Sequence, residues 1–352
     1  MIGGSNLLSF KQGLQSILWH SKLYKAFKPW YSGTGSILMF HRVLPDHQRS
    51  ALAGNRSIEV STTYFTQILD YLEESGIDVI SLDELKKRLS DPGADRPFTC
   101  LTFDDGYIDT HEIVYPLLKA RNLPFCVYVL PDYLDHKQVL WWYMIEKIIH
   151  TRSFITFRLD HREIKCATST TRARNAAFYS IRRWVKSLNE SQRNQWIDDC
   201  LAKYNLDRNE YSYSLTMDWT HLQDLASDPL VTIGAHSMSH PALSHLGEAA
   251  AYDEIAQSRS ALESVLERPV YHFAYPFGGS NEAGQREFRL AENAGFITAT
   301  TTRNAPVFQA HSERLTALPR LLIDGNLEHI SQIHVLCSGA FPALQNRFRR
   351  FL

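Results

Sequence analysis

Two stretches decide the reading of this chain: Phe98-Thr99-Cys100-Leu101-Thr102-Phe103-Asp104-Asp105-Gly106, and Leu230-Val231-Thr232-Ile233-Gly234-Ala235-His236-Ser237-Met238-Ser239-His240-Pro241. In each, an apolar, β-branched or aromatic run of strand length gives way to polar residues at a Gly or Pro. Adjacent carboxylates and two imidazoles four residues apart suit a divalent metal and an activated water, which implies hydrolysis. Alone, Asp-Asp-Gly reads as a helix N-cap or Asx turn, and a lone histidine reads as structural. Two histidines at ligand spacing, joined by a carboxylate from another strand, are less often accidental. Successive side chains of an extended segment point opposite ways, so one Asp can ligate a metal while its neighbour accepts a proton.

Outward from these stretches, strand-like runs are expected at 36–40, 77–80, 98–103, 124–130, 230–235, 271–275, 296–301 and 318–323. Helical patterns fall between them at 63–75, 82–89, 111–120, 249–266 and 283–294. Alternating strands and helices, with near-continuous apolar strands, argue for a parallel α/β sheet covered on both faces. His41, Asp104, Asp105, His236 and Tyr275 lie at or just past strand C-termini, where barrel enzymes assemble their sites. No Gly-rich turn follows the first strand, which argues against a nucleotide-binding sheet. The expected organisation is a barrel over 36–130 and 229–335, with 131–228 as a mainly helical insertion. A helical segment over 1–35 precedes it, and a basic tail over 336–352 follows. Trp141, Trp142 and Tyr143 are read as packing at the seam rather than as a sugar platform.

A net charge of −1 supplies no field to attract nucleic acid. Five cysteines without a C-x-x-C pair favour a reducing compartment. No signal-peptide pattern or bilayer-length apolar stretch is seen, so a cytoplasmic protein is expected. No acid precedes Asp46 or follows Glu328, and the chain ends Arg347-Phe348-Arg349-Arg350-Phe351-Leu352. Leu7, Phe10, Leu14, Ile17, Leu18, Tyr24 and Phe27 recur at near-helical spacing. This reads first as a helix packed on the main domain, and second as an interfacial helix on the anionic inner leaflet of a membrane.

Thr102–Gly106 and His236–Pro241 resemble the two metal-binding motifs of the polysaccharide deacetylases, the NodB-like family also called carbohydrate esterase family 4. Phe273-Ala274-Tyr275-Pro276-Phe277-Gly278 resembles its third motif, and Met39-Phe40-His41-Arg42-Val43 the first strand of an exopolysaccharide-associated subgroup. The resemblance implies an irregular (β/α)7 barrel with Asp105, His236 and His240 on a divalent metal, usually Zn2+. It also implies Asp104 as catalytic base and the Phe277 N–H in the oxyanion hole. Ala274 stands where many members carry an arginine that orients the base, and Arg320 is weighed as its replacement against an ordinary surface pair. No Asp-Trp segment matches the fourth motif, and the general-acid histidine of the fifth has only a faint match in His334. His41 is the substitute considered, against a supporting hydrogen bond to a ligand. The expected activity is metal-dependent N-deacetylation of N-acetylhexosamine in a bacterial surface glycan or its lipid-linked precursor. The alternatives are hydrolysis of a small non-sugar amide, and a decayed barrel that only binds glycan.

Overall fold

Leu38, Phe40, Leu101, Phe103, Val127, Ala235 and Phe273 are buried against the surrounding helices, while the alternate residues Ile37, Cys100, Cys126 and Ala274 are buried on the opposite face. That double burial is what a closed parallel sheet requires of its strands. In the computed structural model, which describes residues 4–90, 96–159 and 162–350, seven parallel strands form the ring. They are β1 (Gly35–Phe40), β2 (Phe98–Phe103), β3 (Phe125–Val129), β4 (Val231–Ala235), β5 (His272–Ala274), β6 (Thr298–Asn304) and β7 (Leu318–Leu322). Their order around the ring is β1-β7-β6-β5-β4-β3-β2, and β1 closes it by pairing along β2 from Gly35↔Phe98 to Phe40↔Phe103. Closure leaves the ring without an edge. The expected (β/α)7 barrel is present. The run at 77–80 contributes only Asp78–Val79, paired beside the start of β2.

Period-two alternation places Asp104 on the same face as Cys100 and Thr102, inside the barrel at its carboxyl end. By the same parity Arg320 shares the inner face with Leu318. The rim of the barrel is therefore built by the strands themselves.

Helices Trp141–Thr151, Thr171–Val185 and Glu190–Tyr204 pack around Leu140, Trp141, Trp142, Ile145, Phe178, Ile181 and Trp196. Tyr107 and Leu130 at the barrel rim join the same cluster, so this body sits on the carboxyl end of the barrel. Trp141 and Trp142 are buried, and the Trp142 Nε1–H donates to the Tyr107 hydroxyl at 3.0 Å. Phe154–Leu159 forms an antiparallel hairpin with Arg162–Ala167 in this body.

Helix Gly4–His20 packs Leu14 and Leu18 onto the main core. Phe10, Ile17, Leu23 and Trp30 stay exposed on it and on the next helix, Leu23–Tyr31. Leu7 belongs to the expected stripe, but its side chain lies outside the described residues. A tail from residue 336 is corrected by the structure. Ser331–Cys337 and Ala340–Gln345 are helices, and Leu336, Ala340, Phe341 and Ala343 are buried because their apolar side chains recur at helical spacing. Of the basic run, Phe351 and Leu352 lie outside the described residues.

Candidate active site

Past the end of β2 the chain turns at Asp105, φ +72°, and Gly106, φ +65°. Regular alternation would aim Asp105 at the helices, and this left-handed turn is what returns it to the barrel mouth beside Asp104. Ser237, His240 and Phe277 are also left-handed, with φ of +67°, +63° and +59°. Non-glycine residues held in this region cost of order 1–3 kcal/mol each and cluster where function demands the geometry.

Asp105 Oδ1 lies 3.4 Å from Nε2 of both His236 and His240. One ligand atom from each of the three residues falls within 4.8 Å of the other two, and all three residues are buried. The His236 Nδ1–H donates to the Ala274 carbonyl at 2.7 Å, which fixes the tautomer and leaves an Nε2 lone pair facing the cluster. Asp105 Oδ1 is buried without a hydrogen-bond partner. Such an orphan acceptor beside two imidazole nitrogens is the donor set a divalent metal takes, so these residues fit one.

Burial and the opposing charges set the protonation of the cluster. Burial alone would raise the Asp105 carboxyl, but His236 and His240 hold it well below its ordinary value. At His240 burial wins, pushing the ring down to about 3. At His236 the downward push of burial is outweighed by Asp105, and the ring rises above its usual value.

The His236–His240 turn is braced from outside. Glu254, on helix Glu248–Leu266, accepts the Met238 and Ser239 N–H groups at 2.9 and 3.1 Å and the Ser239 hydroxyl at 2.9 Å. Arg193 donates to the Ser239 carbonyl at 3.1 Å, and the Ser237 hydroxyl accepts the His240 N–H at 3.1 Å.

Asp104 lies beneath a guanidinium. Arg320 Nη1 and Nη2 each donate to a separate carboxylate oxygen at 2.7 Å, while Nε donates to the Thr301 carbonyl at 3.0 Å. Arg320 is fully buried, so it is no surface pair. Burial would raise the Asp104 carboxyl, but Arg320 and then His236 overcome this and hold it below its ordinary value. A fork of this kind orients a carboxylate as well as charging it.

His41 Nε2 is 3.9 Å from Asp104 Oδ2, and His41 Nδ1 is buried without a partner. Phe277 follows β5 in the turn Tyr275-Pro276-Phe277-Gly278, and its ring crosses His240 edge-on at 4.6 Å. A Cβ on Gly278 would meet the Thr302 nitrogen at 2.7 Å, so the tight turn needs this glycine. His334 does not reach the site; it packs on Tyr71, with ring centroids 4.4 Å apart.

A cavity of about 950 Å³ opens over these groups, lined among others by His41, Asp104, Asp105, His236, His240 and Phe277. Sequence reasoning missed Glu254, Arg193 and the residues that helix Thr171–Val185 adds to the cavity wall. Glu254 had no local signal, being one acid on an ordinary amphipathic helix.

A polysaccharide deacetylase family model matches residues 168–296. The Bacillus subtilis polysaccharide deacetylase-type protein YxkH is 24% identical over 134 residues, which are 38% of this chain and 45% of that protein. The chain thus spans less than half the length of that curated relative. Among solved structures, Streptococcus pyogenes deacetylase PplD in complex with acetate superposes with a TM-score of 0.55 at 16% identity, over 86% of this chain and 96% of that one. IcaB from Ammonifex degensii gives 0.53 at 17%, over 86% and 97%. The deacetylase domain of BpsB from Bordetella bronchiseptica gives 0.51 at 18%, over 82% and 95%. At these identities the structures share the fold.

Proposed function

We propose that this chain, which carries a polysaccharide deacetylase domain and is a hydrolase of that type, removes acetyl groups from N-acetylhexosamine in a bacterial exopolysaccharide, cell-surface glycan or lipid-linked glycan precursor. The observation that carries the proposal is the Asp105–His236–His240 cluster next to a carboxylate gripped by Arg320. Asp105, His236 and His240 would hold a divalent cation, with Zn2+ the ion best matched to two imidazoles and a carboxylate. Such a cation, when bound, acidifies a water and polarises the acyl oxygen.

The remaining roles fall to the chain's own groups. Asp104, kept ionised by Arg320, takes the proton of the attacking water as general base. Each of its oxygens keeps a free lone pair after the fork is made. The Phe277 N–H, which no described residue engages, is proposed as donor to the developing oxyanion. His41 is proposed to pass the proton on to the leaving amine. Burial lowers its pKa, so it stands neutral and able to accept one.

A cavity of about 950 Å³ is far larger than a small amide requires, which favours a glycan. Arg320 also answers the reading of a decayed binding barrel, since it supplies the guanidinium that Ala274 lacks. Acetate release from a defined N-acetylhexosamine oligosaccharide tests the proposal. Asp104→Asn is expected to lower turnover by about 10²–10⁴-fold with metal content unchanged. Near-normal turnover in this variant would remove Asp104 as the base.

Five free cysteines suit a reducing, cytoplasmic compartment, and among the described residues no helix is long and apolar enough to cross a membrane. Exposed Phe10, Ile17, Leu23 and Trp30 among Lys22, Lys25 and Lys28 support peripheral contact with an anionic leaflet. Sedimentation with phosphatidylglycerol vesicles but not with phosphatidylcholine vesicles, weakened by Trp30→Ser, is the expected result. Equal recovery with both would end that part of the reading.

A further inference from the structure

Helix Thr171–Val185 buries Ala177, Phe178, Ile181 and Val185 in the helical body. Tyr179, Arg182 and Arg183, followed by Lys186 just past its end, line the cavity instead. Their spacing of i, i+3, i+4 and i+7 is one continuous stripe of the helix. The stripe faces the cavity that contains Asp104, Asp105, His236 and His240.

The cations of this wall are not equally satisfied. Lys186 pairs with Glu282 at 2.6 Å, and Lys11 on another part of the wall lies 3.8 Å from Asp324. Arg182 and Arg183 have no hydrogen bond or ion pair through their guanidinium groups among the described residues. Arg183 is exposed, but Arg182 is half-buried, and burial draws its pKa below the usual arginine value. Asp105 and Glu282 are among the charges that act on it, yet neither touches it. A half-buried guanidinium with no counter-charge in contact keeps its donors unmatched on the cavity wall. Its planar fork matches a phosphate or carboxylate in two hydrogen bonds.

We infer that Arg182, supported by Arg183, is an anion subsite that receives a phosphoryl or carboxylate group carried by the glycan while its acetamide lies at the barrel mouth. Tyr179, three residues before Arg182 on the same stripe, offers a ring face to the sugar between the two points. The inference rests on the deacetylase reading and narrows its substrate to an anionic glycan. A phosphoryl group would mark a precursor still attached to its carrier, and a carboxylate would mark a uronate-containing polymer.

The test compares three substrates of equal length on the metal-loaded enzyme: a neutral N-acetylhexosamine oligosaccharide, one with a pyrophosphoryl-linked reducing end, and one containing a uronate. One of the two anionic substrates is expected to exceed the neutral one in kcat/KM by about tenfold or more, the size of a charge-assisted hydrogen bond. Arg182→Gln is expected to erase most of that advantage, chiefly through KM, and Arg182→Lys to restore part of it. Metal content and melting temperature, measured alongside, report whether the variant folds. Calorimetric binding of the preferred anionic glycan to metal-free protein should weaken by the same factor in Arg182→Gln. Wild-type enzyme that uses all three substrates equally, or a variant that loses all three in parallel, overturns the subsite. Wild-type enzyme that releases acetate from none of them instead overturns the deacetylase reading on which the subsite rests.

Discussion

The barrel rim and the helix that leans over it share one cavity but treat their polar groups in opposite ways. On the rim, Asp104 is held by two hydrogen bonds from Arg320, His236 is tied to the Ala274 carbonyl, and the His240 turn is pinned by Glu254. On the helix, Arg182 and Arg183 line the same space, and among the described residues nothing pairs with their guanidinium groups. In the proposed roles, groups that move protons or hold a metal must stand in place before substrate arrives, which matches their being bound to the chain itself. Groups that recognise a substrate are best left unsatisfied until it comes. Three rim atoms depart from that pattern: Asp105 Oδ1, His41 Nδ1 and His240 Nδ1 are buried without a hydrogen bond, and Asp105 Oδ1 faces the position a cation would fill.

The most damaging way to break the rim is to remove a ring from that cluster. His236→Ala and His240→Ala are each expected to lose bound metal and to abolish acetate release. The loss should exceed the roughly 10–100-fold cost of disturbing a residue that merely supports a ligand. Metal analysis of purified protein gives the answer, and full metal occupancy in either variant would displace that residue from the ligand set. The two rings should also differ in pH response. Burial holds His240 near 3, where protons do not compete for it at neutral pH. Burial also pushes His236 down, but Asp105 outweighs it and raises the ring above 6.5, so metal uptake should weaken as pH falls toward 6.

The sequence made the rim legible and left the overhanging helix opaque, for a physical reason. Asp104, Asp105, His236 and His240 sit next to their strands in the chain, so strand pattern and side-chain chemistry are read together. Arg320 meets Asp104 across 216 residues, and no local pattern says which of several arginines will arrive. From sequence it stood level with a surface pair; inner-face parity with Leu318 is the signal that would have separated the two. Tyr179, Arg182 and Arg183 lie on the polar side of an amphipathic helix, and such a side usually faces water. Whether it faces water or a cavity depends on where the helix docks. The hairpin partner Arg162–Ala167 escaped because it is largely polar, and the paired segments Arg42–Leu44 and Glu59–Ser61 because they are only three residues each.

A gentler disturbance of the rim tests whether pairing there serves chemistry or only the fold. In Arg320→Leu the Asp104 carboxylate stays buried without its counter-charge, at a cost of about 3–5 kcal/mol of stability. In the native protein burial would raise this carboxyl, and Arg320 with His236 reverses that, so its folded pKa lies below the unfolded value. The native pair therefore contributes stability above roughly pH 4 that is lost as pH falls through the folded pKa. Without Arg320 the folded pKa rises, so the deficit of the variant should grow from pH 3 to pH 7 in denaturant titrations. The acid limb of kcat/KM should move to higher pH along with it. Arg320→Lys keeps the charge but loses the fork, and should show a smaller shift with a clear loss of turnover. An acid limb that stays in place in Arg320→Leu, in protein that remains folded, would leave Arg320 as a purely structural residue and detach Asp104's protonation from the rim's pairing.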